Sequence, residues 1–141
     1  EVKLPHLESW VERRRANAAR YRRLFLESGL VKDGAPYPTS DHPLVLPEAA
    51  PGHSYNQFVV RAGDRDGLAR HLGARAIGHA VYYPRPLHLQ PALAALGHAA
   101  GAFPEAERAA AEVLALPIYP ELSEEQACEV VDAVVSFFGK R

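Results

Sequence analysis

The sequence predicts an α+β fold, a small antiparallel or mixed sheet of about three short strands packed with helices. Helical periodicity appears at both ends of the chain, and two or three short β-rich segments lie between them. That order, with no internal repeat, fits segregated helices and strands better than a doubly wound sheet. At 141 residues the chain is one compact unit, long enough to bury a core without disulfide or metal staples.

From Leu7 to about Leu26 the apolar positions Leu7, Trp10, Val11, Ala18, Tyr21, Leu24 and Phe25 recur at three- and four-residue steps, with Pro5 ahead and Gly29 behind. This is an amphipathic helix. The stretch to Pro51 is dense in proline and should run as extended loop, with room for a short strand at Leu44-Val45-Leu46. Tyr55 to Arg61 is aromatic and β-branched and reads as a strand. Asp64 or Asp66 can cap a short helix with Leu68 and Leu72 facing inward, and a second strand is expected near Ala76 to Val81. Prolines 84 and 86 exclude the next segment from a central strand. Pro91 opens a short helix closing at Gly97, and Pro104 opens another through Leu114. Leu114 to Ile118 is a third extended segment. Ser123-Glu-Glu-Gln126 is a capping box for the last helix, whose buried stripe is Ala127, Val130, Val131, Val134 and Phe138, with Lys140 and Arg141 past its end.

Composition excludes several functions. Sixteen basic and 17 acidic residues give a net charge of −1, so no global field favours nucleic acid or an anionic membrane. No apolar run approaches the roughly 18 residues of a membrane span. Cys128 is the single cysteine, which rules out an internal disulfide framework and reads as a reducing, cytoplasmic setting; on the last helix it reads as a core residue. There is no methionine and no signal-peptide pattern at the start, so the chain is expected to be processed or a piece of something longer.

Arg13, Arg14, Arg15, Arg20, Arg22 and Arg23 crowd into eleven residues of the first helix. Such a run can neutralise phosphates or dock another domain. Without interleaved aromatics it reads as a solvated face whose arginine stems shield the apolar stripe. Histidines 6, 42, 53, 71, 79, 88 and 98 match no metal-ligand spacing, and no metal is expected. Nucleophile-elbow and phosphate-loop motifs are absent too. The segment densest in chemistry is Tyr82-Tyr83-Pro-Arg85-Pro-Leu-His88-Leu-Gln-Pro91. Its prolines stiffen it, so phenols, guanidinium and imidazole are presented at low entropic cost. Residue types alone leave two readings open: a substrate-facing loop, or an ordinary loop whose aromatics pack on the sheet.

That segment resembles the Tyr-Pro-x-Pro-Leu-His-x-Gln stretch of the DegT-type nucleotide-sugar aminotransferases. Phe103-Pro-Glu-Ala-Glu-Arg108 and Leu114-Ala-Leu-Pro-Ile-Tyr-Pro-Glu-Leu122, with Glu125-Gln126 and the closing Val-rich helix, resemble the family's C-terminal signature. His53-Ser-Tyr-Asn-Gln-Phe-Val-Val60 resembles its preceding strand, and Trp10 to Tyr21 its linking helix. The resemblance covers nearly all of the chain and is weakest between Val31 and Pro51. It implies the C-terminal small domain of a fold-type-I enzyme dependent on pyridoxal 5'-phosphate, with residues 1–28 as linking helix and 52–141 as α+β core. Such enzymes are homodimers that move an amino group, usually from glutamate, onto a nucleotide-linked keto-sugar.

By the same resemblance the cofactor's lysine and most of its phosphate ligands lie upstream of Glu1, in a larger domain. Lys3, Lys32 and Lys140 sit at the start, in a loop and at the tail, without the buried surroundings that depress a lysine pKa, so no catalytic residue is expected in this chain. What the resemblance gives it is substrate binding by Tyr82, Tyr83, Arg85, His88 and Asn56. Tyr82 departs from the histidine that many members carry, exchanging a group that titrates near neutrality for a phenol. Two other readings stay open: a non-catalytic α+β interaction module, and a relative acting as a dehydratase or on amino-cyclitols.

Overall fold

The computed structural model describes residues 2–139. After a 3-10 turn at Leu4–His6, helix α1 runs Leu7–Glu27 and ends at Ser28, with Gly29 left-handed at φ 72°. Strand β1 is Leu44–Val45, β2 is Phe58–Ala62, and α2 is Arg65–Ala74. Helix α3, Pro104–Glu112, passes directly into β3, Val113–Leu116, and α4, Glu124–Phe138, closes the described chain. The sheet is antiparallel in the order β1-β2-β3, with Leu44 opposite Ala62 and Phe58 opposite Leu116.

Alternation along β2 sends Phe58, Val60 and Ala62 inward and leaves Val59 and Arg61 half-buried. The inward side chains join Tyr21 and Phe25 of α1, Leu68 and Leu72 of α2, and Val130 and Val134 of α4 in one core, and Leu30 and Leu44 belong to it too. The Tyr21 ring lies 5.1 Å from that of Phe58, and its hydroxyl donates to the Pro117 carbonyl at 2.9 Å. Burial pushes the Tyr21 phenol well above its usual range, so it stays a donor. Only the C-terminal half of the α1 stripe reaches this core: Leu7 is 49% exposed. A helix of 21 residues spans about 30 Å and outruns strands of two to five residues.

The arginines of α1 do more than coat a solvated face. Arg14 Nε donates to the Ser54 carbonyl at 2.9 Å, Arg15 Nε to that of His53 at 2.8 Å, and Arg22 Nη1 to that of Pro47 at 3.3 Å, while Arg22 also pairs with Asp33. A proline-rich loop has few ladder partners for its carbonyls, and the guanidinium forks supply them. Tyr37 fastens the same loop to α3: its ring lies under Arg61 and Arg108 at 4.9 and 4.3 Å, and its hydroxyl donates to Glu105 at 2.8 Å.

Of the two candidate caps for α2, Asp64 is used: its Oδ1 accepts from Gly67 N–H at 2.9 Å. A Cβ on Gly67 would collide with that carboxylate, so the cap requires glycine there. Arg65, 9% exposed, donates through Nη1 to the carbonyls of Ala110 and Val113 at 3.2 and 3.1 Å, closing the junction between α3 and β3. The capping box of α4 forms both arms, Gln126 N–H to Ser123 Oγ at 3.2 Å and Ser123 N–H to Gln126 Oε1 at 3.0 Å. Ser123→Ala is expected to cost about 1 kcal/mol, read as a shift of the denaturation midpoint.

Several boundaries differ from the sequence expectation. The strand expected at 76–81 reduces to one antiparallel bridge, Ala80 with Ala115. Residues 75–77 instead fold back onto the end of α2, with Ile77 N–H bonded to the Leu72 carbonyl and Ala76 at φ 57°. Strand β2 starts at Phe58 rather than Tyr55, because Tyr55 takes φ 45° and its N–H goes to His53 Nδ1. Pro91–Leu96 coils as 3-10 turns, closed by left-handed Gly97. Helix α3 stops two residues short of Leu114 because Val113 already pairs with Arg61. Cys128 is half-buried rather than in the core, and Lys140 and Arg141 lie outside the described residues.

Candidate substrate site

The paired bonds between Ala80 and Ala115, N–H to carbonyl at 3.2 and 2.7 Å, fix the chain leading into the Tyr-Pro loop beside β3. Between them and the chain before β2 lies a cleft of about 250 Å³. It is lined by Asn56, Gln57, His79 and Tyr82, which carry polar side chains, and by Ala80, Ala115, Leu116, Pro117 and Ile118, which carry apolar ones. Such a setting suits a small ligand held by a few directed hydrogen bonds. The structure therefore brings together Asn56 and Tyr82, which are 26 residues apart in sequence. The ring of Tyr83 meets that of Tyr82 edge-on at 5.9 Å and is 73% exposed. Arg85 is exposed, and its carbonyl accepts from Gln90 Nε2 at 3.2 Å.

His88 takes a different position. It is buried at the 3-10 turn Leu87–Leu89, its ring against Phe103 at 4.8 Å and its Nε2 3.0 Å from Glu107 Oε1. Glu107 also accepts the N–H groups of Gly101 at 2.8 Å and Phe103 at 3.4 Å. Partial burial opposes ionisation of this carboxyl, but the donors from Gly101, Phe103 and His88 outweigh it and hold its pKa below the usual glutamate range. Being ionised, Glu107 can only accept, so His88 Nε2 donates. The turn is thus pinned to the first turns of α3, a few residues after Tyr82, Tyr83 and Arg85.

Two contributors escape a reading of residue types. Glu107 reads as an ordinary first-turn acid of α3, and only its contacts reveal the anchor. His79 belongs to a set of seven histidines without ligand spacing, and its position three residues before Tyr82 is the one hint that it shares that loop's cleft. No group of histidine, cysteine or acidic side chains among the described residues is arranged to hold a metal. No lysine among them fits the covalent site of pyridoxal phosphate either: Lys3 and Lys32 are both exposed. A larger cleft of about 490 Å³, between Arg22, Lys32, Asp33 and Glu48, includes none of the five expected residues.

Comparison with known proteins identifies the surroundings in which this cleft occurs. The model of the DegT/DnrJ/EryC1/StrS aminotransferase family matches residues 1–135. A pleiotropic regulatory protein of Geobacillus stearothermophilus is 45% identical over 97% of this chain and 34% of its own length. The dTDP-3-amino-3,4,6-trideoxy-α-D-glucose transaminase of Streptomyces venezuelae is 42% identical over 94% of this chain and 32% of its own. Among solved structures, DesV of S. venezuelae, crystallised with a ketimine intermediate, superposes at a TM-score of 0.81 with 40% identity, covering 99% of this chain and 35% of DesV. A family aminotransferase from Brucella abortus superposes at 0.78 with 30% identity, over 98% of this chain and 34% of its own. The chain thus spans about a third of the length of the relatives it matches. No helix among the described residues is long and apolar enough to cross a membrane. With a family match over nearly its whole length and the same fold throughout, the chain belongs to the DegT/DnrJ/EryC1/StrS aminotransferase family.

Proposed function

We propose that this chain is the substrate-closing small domain of a pyridoxal-phosphate-dependent aminotransferase, which transfers an amino group from glutamate to a nucleotide-linked keto-sugar. Residues 1–28 link it to a larger domain, and residues 52–141 carry most of its α+β body. The observation that carries the reading is the cleft where Asn56 and Tyr82 converge next to the stiff Tyr-Pro loop. Support comes from two relatives named dTDP-3-amino-3,4,6-trideoxy-α-D-glucose transaminase.

Each side chain has a part in this reading. The Asn56 amide and the Tyr82 phenol bond sugar hydroxyls, and Tyr83 offers an exposed ring and hydroxyl at the rim. Arg85, an exposed guanidinium, suits a diphosphate oxygen. His88 acts from beneath, holding the loop through Glu107. The cofactor and its lysine are supplied by residues outside this chain, in a homodimer and a cytoplasmic setting, and the chain alone carries no catalytic residue.

The test is spectroscopic. The intact protein reconstituted with pyridoxal phosphate is expected to gain a cofactor absorbance that glutamate bleaches and a nucleotide-linked keto-sugar restores. Absence of any spectral change with glutamate would overturn the reading.

A further inference from the structure

We infer that His79 is a specificity-determining residue of this cleft, accepting a hydrogen bond from a ligand hydroxyl through its Nε2. The inference rests on the substrate reading above and adds to it a residue that the loop motif does not contain.

His79 lines the same cleft as Asn56 and Tyr82. Its Nδ1 lies 3.0 Å from the Ile77 carbonyl. A carbonyl can only accept, so Nδ1 carries the proton, and in the neutral ring Nε2 is left as an acceptor. Among the described residues no partner engages that nitrogen. The ring is also held in place. Its Cε1 lies 3.5 Å from where a Cβ on Gly73 would stand, an ordinary contact distance, so the ring lies beside the last turn of α2. The backbone on either side is equally constrained, by Ile77 N–H on the Leu72 carbonyl and by the paired bonds of Ala80 with Ala115. An imidazole fixed at Nδ1, backed by a helix and half-buried at a cleft wall is pre-organised for a single directed bond.

The ligand class follows from the donor and acceptor inventory. Tyr82, Asn56 and Gln57 can each donate and accept, whereas the wall residues Ala80, Ala115, Leu116, Pro117 and Ile118 carry apolar side chains. With Nδ1 donating to Ile77, the neutral form of the imidazole adds an acceptor at Nε2. Together these groups match a sugar ring bearing a hydroxyl beside its amino or keto carbon, a hydroxyl that can both give and receive a bond. The acceptor discriminates, because a sugar lacking the matching hydroxyl leaves Nε2 desolvated and unpaired.

The two nitrogens can be separated by substitution. In His79→Asn the side-chain amide can replace Nδ1 at the Ile77 carbonyl but does not reach the Nε2 position. In His79→Gln the longer amide places an acceptor there. In the intact, cofactor-loaded protein, with dTDP-3-amino-3,4,6-trideoxy-α-D-glucose as amino-sugar probe, His79→Asn is expected to raise KM about tenfold while kcat changes little. Its kinetics with glutamate, which carries no sugar, should stay within about twofold of wild type, and His79→Gln should recover most of the lost affinity. Wild-type KM in His79→Asn would overturn the inference, leaving the ring only its bond to Ile77. An equal loss with probe and glutamate would also overturn it, by showing a general disturbance. Turnover of glutamate without turnover of the probe removes the sugar hydroxyl this role requires, and sinks the inference while transamination stands. Failure with glutamate itself brings down the proposed function, and the role of His79 with it.

Discussion

Phe58→Ala is expected to cost about 3–5 kcal/mol, the largest stability loss from one side chain in this fold. Phe58 is 2% exposed and stands where three parts of the chain meet. Its ring lies 5.1 Å from Tyr21 of α1 and 6.2 Å from Tyr55, and it pairs in register with Leu116 of β3. Removing the ring leaves a cavity that cannot collapse easily. The sheet on one side is fixed by ladder bonds, and Tyr21 on the other is tied to the Pro117 carbonyl at 2.9 Å. Against a typical domain stability of about 5–15 kcal/mol this is a large fraction. Amide hydrogen exchange in the intact protein checks it, since β2 and β3 should lose protection together. Phe58→Leu keeps most of the volume and should lose less than half as much. Protection in the alanine variant within about 1 kcal/mol of wild type would mean that the core is not organised around this ring. The effect reaches the cleft as well, because Gln57, next to Phe58, and Leu116, its partner across the sheet, both line it.

The parts of the fold that were legible in the sequence are those set by local chemistry. The α4 capping box forms as read, the aromatic and β-branched run from Tyr55 to Arg61 yields strand β2 over Phe58–Ala62, and of the two candidate caps Asp64 is the one used; each depends on residues within a few positions of one another. Misreadings cluster where a tertiary contact decides. The 76–81 segment has strand composition, yet Ile77 N–H is claimed by Leu72, so only Ala80 remains to pair. The arginines of α1 look like a solvated face until the 47–54 loop folds across them and offers its carbonyls. For the proposed site, Tyr82 and Asn56 are named from two separate segments that resemble the family's, and the fold sets both at one cleft. His79 is not, because only the fold brings it to the wall those two share.

The second large effect is expected on activity, from Glu107→Ala. Glu107 touches no position proposed to meet substrate, yet it gathers His88 Nε2 at 3.0 Å and the N–H groups of Gly101 and Phe103 at 2.8 and 3.4 Å. Without it the His88 imidazole stays buried against Phe103 with its donor unpaired, and the Leu87–Leu89 turn loses its fixed relation to α3. Tyr82, Tyr83 and Arg85 precede that turn by a few residues, so their positions shift with it. A displacement near 1 Å in substrate-positioning groups can cost about 100-fold, and a fall of that order in kcat/KM for the keto-sugar is expected, with the glutamate half-reaction much less affected. Acid should mimic the substitution. The folded-state pKa of Glu107 is depressed, so the stabilisation is fully present above the ordinary glutamate range and fades as pH falls through the lower folded value. The anchor should therefore hold across neutral pH and release only in acid, below the ordinary glutamate range. Glu107→Gln keeps one acceptor oxygen but removes the charge, and should fall between wild type and alanine while losing the acid-dependent step. If Glu107→Ala and wild type show the same kcat/KM for the sugar, the loop is positioned by its prolines alone.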